Sequence, residues 1–248
     1  MKDVQICNFD ELRKMNHVRE VYLFGSVARG DYDKNSDIDI LIVVDDCSEE
    51  EYIKWKDCFA ELLNVPISWI SLYRISKILK MHNIGSYFLW HIKKEGKMIL
   101  SRENELASLL DTLPPYMKVH NDLQEYTEIL KDVISELDNT YISIDYELAI
   151  MASLVRNTCI AIAYMNDNMD FGRNSVVMYC FNKYGIKVDL QEYKNLYQYR
   201  LYHTGKIANV QNGNISQLKR WIEIEIELLK IAEKGVKIYE EEFVSRVE

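Results

Sequence analysis

Two aspartates two residues apart, Asp37 and Asp39, stand where the apolar run Ile40-Leu41-Ile42-Val43-Val44 begins. In an extended strand that spacing puts both carboxylates on one face, converging on one point. Carboxylates held so close repel unless one takes a proton or a cation sits between them, and all-oxygen ligation favours a hard divalent ion such as magnesium. Upstream, Gly25-Ser26 ends the run Val21-Tyr22-Leu23-Phe24. A glycine there lets the backbone approach a phosphate closely and the serine adds a hydroxyl donor, which is a way to cradle a polyphosphate without a lysine. Taken alone, Ser36-Asp37-Ile38-Asp39 reads first as a solvated turn at a strand start. The ordered combination of apolar strand, Gly-Ser, small polar loop and paired acids entering a second apolar strand reverses that plain reading.

A site of this kind needs rigid elements beneath it. Residues 9–19 place Phe9, Leu12 and Met15 at helical spacing, with Asp10 and Glu11 early, where the helix dipole favours negative charge. Strands are predicted over 21–24 and 38–44, joined by a polar loop. Ser48 with Glu51 is an N-capping pattern that opens a helix over 48–63. The alternation in 65–72 predicts a further strand, 76–95 a helical segment, and 98–101 a closing strand after Gly96.

Texture changes at Pro114-Pro115, beyond which helical periodicity dominates. Helices are predicted near 119–138, 144–165 and 215–241, with shorter ones at 174–183 and 190–203. The alternating run 222–230 could be a strand, but Trp221, Ile224, Leu228 and Ile231 recur at helical spacing and favour helix. The fold class expected is therefore α+β: a small mixed sheet with flanking helices over 1–103, a linker at 104–118, and an all-α helical bundle over 119–248.

The chain of 248 residues carries a formal charge of −9, which disfavours tight binding along a nucleic-acid backbone, where clustered Lys and Arg must displace counterions. Cys7, Cys47, Cys58, Cys159 and Cys180 lack metal-site spacing; Cys159, in an apolar run, reads as a buried thiol. Acidic residues interrupt the N-terminal stretch where a secretory signal needs an apolar run, and no segment reads as a membrane span, so the expected location is the cytoplasm.

The whole segment GSVARGDYDKNSDIDILIV, from Gly25 to Val43, resembles the nucleotidyltransferase superfamily that includes polymerase β, in its minimal nucleotidyltransferase branch. That resemblance, covering roughly 8–102, implies that Gly25 and Ser26 hold the β and γ phosphates of a nucleoside triphosphate. Asp37 and Asp39 would be the catalytic acids and ligate Mg2+. Arg29 would either help to neutralise the triphosphate or tie down the loop. The reaction implied is attack of an acceptor hydroxyl on the α phosphate with loss of pyrophosphate.

Relatives usually supply a third carboxylate from a later strand, and the corresponding position here holds Ser68, with no acid from Asn64 to His91. Glu95, Asp145 and Glu147 are conceivable substitutes without support in the sequence, and each reads first as a surface residue. His91 could be a base or a helix residue packed among aromatics. The helical half is similar to the bundles of antibiotic nucleotidyltransferases and of the HEPN family, which implies that it can bury a surface in a homodimer. Arg156 is followed by Ala161, Ile162 and Ala163, so the Arg-then-His ribonuclease pattern of HEPN proteins is absent. Tyr193, Tyr197, Tyr199 and Tyr202 near Arg200 and His203 could form an aromatic wall or simply pack helices.

The function expected from the resemblance is transfer of a nucleoside monophosphate to a small-molecule hydroxyl, as in antibiotic nucleotidyltransferases. A protein acceptor, as in adenylyltransferase antitoxins, is the first alternative. A nucleotide-binding regulator without turnover is the second.

Overall fold

The computed structural model describes residues 9–34 and 36–247, with the backbone alone for 240–247. Cys7 lies outside the described residues. The described chain divides into two compact units, one ending at Met117 and one beginning at Lys118.

The first unit is built on a four-stranded sheet of order β3-β2-β1-β4. Its strands are β1 (Val18–Phe24), β2 (Asp39–Val44), β3 (Ile70–Arg74) and β4 (Lys97–Ser101). β1 pairs antiparallel with both β2 and β4, whereas β2 and β3 run parallel. A parallel pair needs a crossover, and helix α3 (Glu49–Leu63) supplies it. Ser48 starts that helix with the expected capping box: its hydroxyl accepts the Glu51 N–H and the Glu51 carboxylate accepts the Ser48 N–H.

Strand alternation sorts the sheet into two cores. Val21, Leu23, Ile40, Ile42, Ile70 and Leu72 face Phe59 and Leu63 of α3, with Leu12 of the short helix α1 (Phe9–Leu12). On the opposite face, Tyr22, Phe24, Leu41 and Val43 meet α4 (Ile75–Asn83), α5 (Tyr87–Glu95) and α6 (Glu105–Asp111).

Several sequence expectations are corrected here. The predicted helix over 9–19 ends at Leu12, because Val18 already enters β1. The strand expected over 65–72 begins only at Ile70; Pro66 precedes a tight 3-10 turn over Ile67–Trp69. The single helical segment at 76–95 is two helices, broken at Gly85. Residues 104–118, read as a linker, carry α6. Leu106 and Leu110 of α6 are buried in the second core, and the Leu106 N–H donates to buried Glu20 of β1 at 2.7 Å. The Trp90 indole N–H donates to Pro114 O at 3.2 Å, so the Pro114-Pro115 segment also lies against the first unit's helices.

The second unit is all helical: α7 (Val119–Glu136), α8 (Ile144–Met165), α9 (Ser175–Tyr184), α10 (Leu190–His203) and α11 (Ile215–Val247). The alternating run 222–230 lies in α11, where Trp221, Ile224 and Leu228 are buried, as helical periodicity requires. Helix α8 is the centre of the unit, packed by α7, α9, α10 and α11. By length and composition α8 could cross a membrane, although Asp145, Glu147 and Arg156 keep it short of an uncharged span. Most of that apolar surface is buried within the bundle, as in the core helix of a helical domain.

Candidate functional site

β1 and β2 place the predicted residues side by side. Phe24, the last residue of β1, pairs with Asp39, the first of β2. Gly25 follows immediately in a left-handed conformation, φ +67°, that only glycine adopts without strain. A Cβ on Gly25 would lie 2.1 Å from Asp39 Oδ2, so the carboxylate stands directly against the glycine backbone. Ile38, buried in the first core, carries the strand alternation back beyond β2. Asp37 and Asp39 are both partly buried.

The stretch after Gly25 is not the loop that its composition suggested. Gly25–Arg29 form a five-residue helix, α2, closed by Gly30. The Gly30 and Asp31 N–H groups both donate to Ser26 O, at 2.9 and 3.2 Å. So short a segment has no apolar period to read; Ala28 is buried in the first core and Val27 packs against it.

Arg29 ends α2 and is held from two sides. Its Nε donates to Asp31 Oδ1 at 3.1 Å, and its Nη1 forms a short ion pair with Glu95. These two bonds tie Arg29 to Asp31 and to Glu95 of α5. Glu95 is no surface residue either: its side chain is 5% exposed, and His91 Nε2 lies 2.7 Å from its Oε2. Burial by itself would raise this carboxyl's pKa, but the bonds from His91 and Arg29 outweigh that and hold it below the usual carboxylate range. His91 in turn meets the edge of the Phe24 ring, with centroids 5.2 Å apart. The Glu95–Arg29 link escaped sequence reasoning because it joins two helices whose packing no local pattern reveals, whereas His91 and Glu95 stand four residues apart on α5.

The third-acid question moves by register. Ser68 is exposed in the 3-10 turn, not on the strand. In β3, Ser71 pairs with Leu41, and Leu41 shares the face of Asp39 by alternation. The β3 residue level with Leu41 on that face is therefore Ser71, again not an acid. Among the described residues no group of three or more His, Cys, Asp or Glu is arranged to hold a metal ion. Asp39 stands against Gly25, and Asp37 and Asp39 offer only oxygen donors, the chemistry that fits a hard divalent ion.

Residues 9–105 match the family model for the polymerase beta nucleotidyltransferase domain. The N-terminal unit is a nucleotidyltransferase domain. No curated protein sequence matches the chain. Among solved structures, a toxin–antitoxin with AMP-PNP is 20% identical, over 51% of this chain and 98% of its own, at a TM-score of 0.32. The MntA–HepT toxin–antitoxin is 19% identical, over 51% and 92%, at 0.29. A spectinomycin adenyltransferase from Enterococcus faecialis, with ATP and spectinomycin, is 14% identical, over 90% and 98%, at 0.48. Within the nucleotidyltransferase domain, Gly25, Ser26, Asp37, Asp39 and Arg29 all lie on or between β1, α2 and β2.

The remaining candidates sit in the helical unit with structural partners. Asp145 accepts the Gly213 N–H at 2.7 Å, and Glu147 is buried, which raises its pKa. Arg156 donates to Phe171 O at 2.6 Å. The tyrosines do not make one wall: Tyr193 and Tyr199 are buried, Tyr202 is exposed, and Tyr197 lies 4.8 Å beneath the Arg173 guanidinium.

Proposed function

We propose that this chain transfers a nucleoside monophosphate from a nucleoside triphosphate to a hydroxyl of a small molecule, with Mg2+. The observation that carries the reading is Gly25 packed against Asp39 inside a nucleotidyltransferase domain. It brings a backbone able to approach phosphate and a metal-binding carboxylate within contact of each other. Asp37 and Asp39 would hold the ion, which when bound neutralises triphosphate charge and stabilises the attacking and leaving oxygens. The Gly25 backbone and the Ser26 hydroxyl orient the β and γ phosphates, and the rigid strand behind Asp39 keeps the carboxylates from drifting. The acidic chain suits a cationic small acceptor better than a nucleic acid, and the free buried thiols Cys159 and Cys180 suit a reducing cytoplasm.

One observation favours a second reading. Ser71, not an acid, faces the Asp39 side from β3. A nucleotide-binding regulator without turnover accommodates that hydroxyl.

The test has two stages. ATP with Mg2+ should raise the melting temperature of the protein, and Asp37→Asn combined with Asp39→Asn should abolish the rise; no rise in the parent defeats the site. Labelled ATP is then offered with a panel of aminoglycosides and aminocyclitols, and separately with cell protein. Label on a small molecule supports the proposal, label on protein points to a protein acceptor, and none to the regulator.

A further inference from the structure

We propose that Glu95 is a positioning residue that clamps both ends of the Gly25–Arg29 helix and so shapes the phosphate cradle. The inference rests on the nucleotide reading above. From one buried carboxylate, two arms reach the same short helix. One arm is the ion pair to Arg29, the last residue of α2. The other runs through His91, 2.7 Å from Glu95 Oε2, to the ring of Phe24, which stands edge-on to His91 and immediately precedes Gly25. Phe24 is also the partner of Asp39 across β1 and β2, so the second arm ends at the pair that holds the carboxylate against the glycine.

The clamp answers a physical need. A five-residue helix makes too few internal hydrogen bonds to be stable by itself. Within α2's own neighbourhood, closure depends on the Gly30 and Asp31 N–H groups reaching Ser26 O. Fixing Arg29 holds that closure, and fixing Phe24 holds the entry. Glu95 can do both because it ends α5 on the side that packs against α2 and β1. Its side chain is 5% exposed, those of His91 and Arg29 are 19% and 22%, and charge-assisted bonds between such shielded groups are stronger than on an open surface. Glu95 itself need touch neither phosphate nor metal.

Calorimetric titration of the full chain with ATP and Mg2+, and separately with AMP, tests this. Glu95→Ala should weaken ATP binding by about tenfold while AMP binding stays within about twofold, because only the phosphate cradle is disturbed. Glu95→Gln, which keeps one acceptor oxygen for Arg29 and His91 but removes the charge, should recover part of the loss. ATP binding equal to the parent's in Glu95→Ala, or an equal loss for ATP and AMP, overturns the clamp. Amide hydrogen exchange of the nucleotide-free protein gives a readout independent of ligand. In Glu95→Ala the Gly30 and Asp31 amides should exchange at least tenfold faster, with β1 amides unchanged. Unchanged exchange at Gly30 and Asp31 overturns the clamp even if the parent binds ATP. A parent that binds no nucleotide, with faster exchange at Gly30 and Asp31 in the variant, leaves the clamp standing and removes the nucleotide reading instead.

Discussion

Gly25 and Asp39 stand so close that a methyl group on the glycine would sit 2.1 Å from the aspartate's Oδ2, a separation no side chain can occupy. Gly25→Ala therefore meets a clash and a backbone strain together, since φ is +67° there. The strain alone costs roughly 1–2 kcal/mol. The variant should melt lower than the parent and lose the stabilisation by ATP and Mg2+, because Asp39 must swing away to make room. A differential scanning measurement with and without ligand decides it; an intact ligand response would show that the carboxylate's contact with Gly25 is dispensable.

Glu225 of α11 is the most consequential buried acid of the helical unit. It is fully buried, accepts the Thr158 hydroxyl at 2.5 Å through Oε1, and burial pushes its pKa up to about 8. The unfolded chain ionises this carboxyl near 4.5 while the folded one keeps its proton, so stability is lost as pH climbs between those values and levels off above about 8. The full loss is on the order of 5 kcal/mol. Glu225→Gln keeps an acceptor for Thr158 but cannot ionise, so it should flatten that slope and be the more stable protein at pH 8. Urea unfolding at pH 5, 7 and 8.5 compares the two.

Glu20 ties α6 to the sheet. It is 1% exposed and accepts from the Leu106 N–H at 2.7 Å and the Tyr22 hydroxyl at 3.2 Å. Glu20→Ala strands both donors in the interior, at a cost of roughly 2–4 kcal/mol. Chemical denaturation should show that loss, and hydrogen exchange should show Leu106 opening first.

Gly85 separates α4 from α5 with φ +61°, and a Cβ there would lie 2.4 Å from the carbonyl oxygens of both Pro114 and Pro115. Gly85→Ala should displace the Pro114-Pro115 segment and break the Trp90 indole bond to Pro114 O. A change in tryptophan fluorescence accompanied by destabilisation of about 2 kcal/mol is the expected result.

Ser48→Ala removes one half of the capping box on α3, exposing the Glu51 N–H. The expected loss is about 1 kcal/mol, read as a lower urea midpoint with an unchanged slope.

Local patterns made much of this protein legible. Ser48 and Glu51 predicted the start of α3, and Trp221, Ile224 and Leu228 placed the alternating run in a helix, because capping and periodicity are decided within a few residues. Local patterns misled where polar composition stood for structure, as in Gly25–Arg29, or where Val65-Pro66-Ile67 imitated a strand before the real one began at Ile70.

By itself, then, the sequence determined the paired acids Asp37 and Asp39, the Gly25-Ser26 step and the strands that carry them. Strand alternation and a glycine's freedom act over neighbouring residues, and no distant contact is needed to read them. Only the tertiary structure decided that Gly25 lies against Asp39, that Ser71 and not Ser68 faces that side, and that Glu95 is buried between Arg29 and His91. Those relations depend on strand register and on helix packing between residues far apart in the chain. Burial then sets whether a carboxylate is a solvated surface charge or a fixed, fully bonded anchor.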